Sequence, residues 1–112
     1  LARAVMSRPE FLVLDEPSAG LDLAGREQLL ERLDVLASDP GAAPTVLVTH
    51  HVEEIPPSYT HVLALREGRT LASGPLDDTL SDELLSACFG LSVRLDRHDS
   101  PSGVRYSARQ DR

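Results

Sequence analysis

Two short apolar runs, FLVL at residues 11–14 and TVLVT at residues 45–49, flank a single amphipathic segment. This arrangement restricts the fold more than any other feature of the chain. A continuous apolar run of four or five residues reads as a strand covered on both faces, as in a parallel sheet. Between the runs, LAGREQLLERLDVLAS sets Leu29, Leu30, Leu33 and Leu36 at helical spacing. Arg26, Glu27, Glu31, Arg32 and Asp34 fall on its outer, solvated face. Asp22 is a good N-cap for this helix, and Pro40 and Gly41 of the loop DPGAAP end it. Strand, helix and strand in that order predict a βαβ unit with a right-handed crossover.

The flanking segments extend this unit. LARAVMSRPE predicts the last turns of an amphipathic helix closed by Pro9, and Val52–Glu54 a short helical turn stopped by Pro56 and Pro57. HVLALREGRTLASG reads as two strands joined at Glu67-Gly68, a hairpin at the sheet edge. Residues 75–90 predict a helical stretch that starts after Gly74 and ends at Gly90. From Asp96 onward the residues are polar and irregular, so residues 96–112 are expected to form a disordered tail behind an ordered part, 1–95. The expected fold class is therefore α/β, a partial parallel sheet with an edge β-hairpin and a C-terminal helix.

Composition narrows the function. With 112 residues, the chain is one domain or part of one. A net charge of −7 and no basic cluster argue against a nucleic-acid surface built on phosphate neutralisation. No apolar run approaches the ~20 residues that span a bilayer, and the first residues lack the pattern of a signal peptide. The single cysteine, Cys88, has no internal disulfide partner, which fits a reducing compartment, and reads as a small core residue. All eleven basic residues are arginines; there is no lysine.

Side chains at the C-terminal ends of parallel strands line the crevice where α/β proteins bind ligands. Asp15 ends the first strand, and one carboxylate there can hold Mg²⁺ through its water shell. Glu16 lies past the strand end and points elsewhere, so it can polarise a water. General-base positioning of this kind is worth roughly 10²–10⁴-fold in rate. The second strand delivers His50 to the same edge, where an imidazole can meet a phosphate.

LVLDEPSAGLD followed by VLVTHHVEEI resembles the second half of an ABC-type ATPase nucleotide-binding domain. FLVLDE is similar to the Walker B strand, which implies Asp15 as the Mg²⁺ residue and Glu16 as the catalytic base. SAGLD resembles the D-loop and implies that Asp22 faces a partner subunit; it departs from the commoner SALD by its Ala19-Gly20 step. VTHH is similar to the switch segment, and the match carries over to His50, not His51. LARAVMSRP resembles the helix that follows the LSGGQ signature, which implies a C-terminal part of the domain beginning after that motif.

The resemblance implies an ATP-binding subunit of an ABC transporter that couples ATP hydrolysis to transport. It implies ATP and Mg²⁺ as cofactors and a head-to-tail dimer of two such subunits. A membrane permease would hold the subunit at the cytoplasmic face of the membrane. The alternative is a non-transport ABC ATPase of DNA repair or translation, a class that usually carries coiled-coil arms or duplicated domains. No G-x-x-x-x-G-K-[ST] loop occurs in the 112 residues, and without lysine none could, so this chain alone is expected neither to bind nor to hydrolyse ATP.

Other polar residues have simpler readings. His51, His61 and His98 show no metal-ligand spacing and read as exposed or edge residues. Glu53 and Glu54 read as acids capping a short helix. Asp77, Asp78, Asp82 and Glu83 read as exposed acids that suit helix N-termini.

Overall fold

The computed structural model describes residues 11–111, so the helix expected over residues 1–10 lies outside the described residues. Strand β1 (Leu12–Asp15) leads into helix α1 (Leu23–Ser38) and strand β2 (Thr45–Val48), and β1 and β2 pair in parallel with Leu14 opposite Leu47. The predicted βαβ unit is present, and α1 spans the predicted segment. Asp22 caps it, its Oδ1 accepting from the Gly25 N–H at 2.8 Å.

Alternation along the strands decides which face is covered. Leu14 of β1 is buried with Leu29 and Leu33 of α1, and Leu12 and Leu47 pack against this cluster. Burying each of these leucines stabilises the fold by roughly 1.5–3 kcal/mol. The opposite face carries Val13, Val46 and Val48, which are 50%, 47% and 42% exposed. The apolar runs predict coverage on both faces; among the described residues α1 covers one face and nothing covers the other.

A 3-10 turn at Val52–Glu54 follows β2 and leads to the hairpin β3 (His61–Arg66) and β4 (Arg69–Pro75). The hairpin turns at Glu67-Gly68, with φ of 53° and 76°, the two positive values that a two-residue type I′ turn requires. The hairpin expected at the edge of the parallel sheet is not paired to it: β3 and β4 form a two-stranded sheet of their own, with no backbone ladder to β1 or β2.

The helical stretch after Gly74 is split into α2 (Leu76–Thr79) and α3 (Asp82–Phe89). Ser81 causes the break: its extended backbone and its hydroxyl, which accepts from the Leu84 N–H at 3.1 Å, start a new helix. Gly90, in the left-handed region, closes α3. Cys88 is half-buried, not a core residue, and burial pushes its thiol pKa up.

The disordered tail expected over residues 96–112 is corrected by the structure. β5 (Val93–Ser100) and β6 (Gly103–Gln110) form a regular antiparallel hairpin, so order continues through the expected boundary at residue 95. Val93, Leu95, Val104, Tyr106 and Ala108 recur at every second position and face the second core, around Val52, Leu76, Leu80 and Leu85. The polar residues between them occupy the other face and give the segment its irregular look. The Leu95 N–H donates to Asp82 Oδ1 at 2.7 Å, and the Arg97 guanidinium lies 5.9 Å from the centre of the Tyr106 ring.

The two apolar cores are joined by polar contacts. Ser58 N–H donates to Asp34 Oδ1 at 2.7 Å, and the Thr45 hydroxyl donates to the Tyr59 hydroxyl at 2.7 Å. Arg105 of β6 reaches Glu27 of α1.

Candidate functional site

The site lies at the C-terminal end of the β1–β2 pair. Asp15 is the last residue of β1, opposite Val48, and its side chain is exposed. The Glu16 N–H donates to Val48 O at 2.8 Å, which extends the pairing by one step. The chain then turns. Glu16 has φ of 45°, in the left-handed region that a side chain resists, immediately before Pro17. This kink takes the chain out of the strand direction at Glu16.

Glu16 Oε1 lies 2.7 Å from His50 Nδ1. An ionised carboxylate can only accept, so Nδ1 carries the proton and Nε2 is left to meet a ligand. Both side chains are open to solvent, 46% exposed for Glu16 and 73% for His50. Two of the residues singled out in the sequence, separated by 34 positions, thus meet directly. Asp15 stands next to them at the strand end. Asp22 makes no hydrogen bond to the other three among the described residues; its carboxylate caps α1, and Leu21 and Leu23 beside it are exposed.

The sequence reads Glu54 as a cap, and the structure gives it a different place. It is 7% exposed and its two carboxylate oxygens accept from two hydroxyls, Oε2 from Ser18 Oγ and Oε1 from Thr49 Oγ1. Burial alone would raise its pKa, but the hydroxyls of Ser18 and Thr49 and the nearby His51 and Arg26 outweigh that and hold it below the usual carboxylate range. No spacing rule marks Glu54, though an acid among Val52, Ile55 and Pro56, in a turn the chain must bury, is a signal available in the sequence. Glu53 points the other way and accepts from the Ala108 N–H of β6 at 2.9 Å.

The donor set can be weighed against the groups that the site residues suggest. Among the described residues no three His, Cys, Asp or Glu side chains converge as a metal cluster. Mg²⁺ keeps most of its water and takes one or two carboxylates, and Asp15 offers one exposed carboxylate at the strand end. His61 and His98 take no part in the site. His61 Nδ1 is 2.8 Å from the Thr60 hydroxyl and His98 Nε2 is 2.8 Å from the Ser107 hydroxyl.

No family model matches the chain. Individual proteins do. The uncharacterized ABC transporter ATP-binding protein YlmA of Bacillus subtilis (strain 168) is 41% identical over 95 residues, which is 85% of this chain and 36% of that protein. The cobalt import ATP-binding protein CbiO of Rhodobacter capsulatus is 46% identical over 91 residues, 81% of this chain and 32% of its own length. The hemin import ATP-binding protein HmuV of Rhodococcus jostii (strain RHA1) is 34% identical over 111 residues, 99% of this chain and 37% of its own. A solved ABC transporter structure in an inward-facing conformation superposes with a TM-score of 0.73 at 23% identity, over 92% of this chain and 40% of that one. The likeness to the solved structure establishes the fold, and the sequence relatives establish the kinship. The chain belongs to the ABC transporter ATP-binding proteins, and it spans about a third of the length of the curated relatives it matches.

Proposed function

We propose that these residues form the hydrolytic side of an ABC-type ATP site, in a subunit that couples ATP hydrolysis to transport across a membrane. The observation that carries this reading is the 2.7 Å contact between Glu16 Oε1 and His50 Nδ1 at the end of the parallel pair. Glu16 is the general base that orients and polarises the attacking water. His50 holds Glu16 in place through Nδ1 and turns Nε2 toward the terminal phosphate. Asp15 supports the water shell of Mg²⁺, which when bound neutralises phosphate charge. The phosphate cradle is not among these 112 residues, which contain no lysine and no G-x-x-x-x-G-K-[ST] segment.

Partners follow from the same reading. Asp22 closes the turn after the site, flanked by the exposed Leu21 and Leu23, and this rim is where a second subunit would contact the site. No helix among the described residues is long and apolar enough to cross a membrane. In this reading a permease carries out the membrane step and holds the subunit at its cytoplasmic face. The transport names of the relatives favour this over a role in DNA repair or translation.

The test is Glu16→Gln with the segment in a complete ATP-binding subunit. ATP turnover should fall roughly 10²–10⁴-fold with nucleotide binding retained, the loss expected for a general base. Turnover that survived the substitution would remove Glu16 from that role. The 112-residue chain alone should show no saturable binding in a calorimetric titration with Mg-ATP.

A further inference from the structure

The side chains of Glu16 and His50 are 46% and 73% exposed, so packing around them does little to keep them together. Two long solvated side chains lose rotamer freedom when they hold one geometry, which leaves an exposed pair weak by itself. Their separation must be fixed from beneath, by whatever holds their two turns in register. One such tie is the backbone contact from the Glu16 N–H to Val48 O at 2.8 Å. The other is a single buried carboxylate.

Glu54 lies under both turns. Ser18, two residues after Glu16, donates its hydroxyl to Oε2, and Thr49, one residue before His50, donates its hydroxyl to Oε1. These are charge-assisted hydrogen bonds in a buried setting, stronger than hydroxyl contacts in water. The Thr49 hydroxyl in turn accepts from the His51 N–H at 3.1 Å, so the backbone on both sides of His50 is held. Glu54 is fixed too: its N–H donates to His51 O at 3.0 Å, and its neighbour Glu53 is anchored to β6 through the Ala108 N–H.

We propose that Glu54 is a positioning residue for the Glu16–His50 pair, setting the distance between them by clamping Ser18 to Thr49. The proposal rests on the catalytic reading of that pair given above. Glu54 touches no reacting group and acts only through the two turns.

The test reads the His50 ring directly, without ATP. Nitrogen-15 spectra of the histidine side chains in the 112-residue chain should show a hydrogen-bonded, slowly exchanging Nδ1 proton on His50. Glu54→Ala should abolish that signature or speed its exchange about tenfold, the size of one lost charge-assisted hydrogen bond. Glu54→Gln should restore it, because an amide can accept from one hydroxyl and donate to the other. Leu85→Ala, in the core that Val52 of the same turn joins, removes no arm of the clamp and should lower the melting temperature yet leave the His50 signature intact. Should Glu54→Ala fail to fold, Ser18→Ala and Thr49→Val cut the clamp one arm at a time, and each should weaken the signature in part.

The signature persisting unchanged in Glu54→Ala, or in both single-arm variants, would overturn the proposal and leave the pair standing. Its absence from the wild-type chain would overturn the Glu16–His50 contact itself, and the clamp with it.

Discussion

Arg105 of β6 forms a two-pronged pair with Glu27 of α1, 78 residues away, with Nη1 3.1 Å from Oε1 and Nη2 3.2 Å from Oε2. Arg105 Nη2 also donates to Glu53 O at 3.2 Å, so one guanidinium joins the last hairpin, the helix beside the parallel pair and the turn below the site.

This pair predicts a pH-dependent contribution to stability. The hydrogen bond from Arg105 holds Glu27 below the ordinary carboxylate range, against a smaller upward push from burial. A carboxylate lowered in the folded state stabilises fully above its unfolded pKa, about 4.3, and the contribution is lost as pH falls through the folded value. The Glu27 carboxylate is 43% exposed, so solvent screening keeps the effect small. Arg105→Ala should cost about 0.5–1 kcal/mol at neutral pH and low salt. The difference from wild type should shrink below pH ~4 in urea melts. An equal difference at every pH would show that Arg105 contributes by packing alone.

Gly90 predicts a second, geometric cost. Its φ is 72°, and a Cβ there would sit 2.9 Å from Arg66 Nη2, whose Nη1 donates to Ala87 O at 2.7 Å. Gly90→Ala should therefore combine a backbone penalty of about 1–2 kcal/mol with displacement of the Arg66 contact. Gly68→Ala is the control, since φ there is 76° with nothing near the added Cβ. Thermal melts should place Gly90→Ala below Gly68→Ala; equal values would mean Arg66 moves aside at no cost.

The uncovered sheet face predicts solubility. Val13, Val46 and Val48 form a strip of apolar side chains on one side of β1 and β2. Val13→Thr with Val46→Thr should raise the concentration at which light scattering detects association, while changing stability by under about 0.5 kcal/mol. A large drop in melting temperature would mean that the valines are packed in solution.

The parallel unit is legible because its signals are local. Four leucines at helical spacing, the Asp22 cap and two apolar runs sit in one continuous stretch, and β1, α1 and β2 fall where those signals put them. The contact between Glu16 and His50 follows from parallel topology, since both residues succeed neighbouring strands at the same end. The β5–β6 hairpin escapes a sequence reading for a physical reason. Its apolar residues alternate with Arg, Asp and His, and a chain that covers one face of a small core needs only every second residue apolar. The apolar neighbours Val52, Ile55 and Pro56 signal that Glu54 is buried, but its partner Ser18 escapes because it lies 36 residues distant. The split between α2 and α3 turns on one serine hydroxyl, where a helix-like run of leucines continues on either side.

The left-handed backbone at Glu16 carries one more implication. A glutamate at φ of 45° occupies a conformation that costs an L-residue roughly 1–2 kcal/mol, and glycine takes it freely. Selection for a sturdier chain would therefore drift toward Glu16→Gly, which relaxes the turn and deletes the proposed base in one step. On the proposed reading of Glu16 as the base, the turn gives up durability for chemistry.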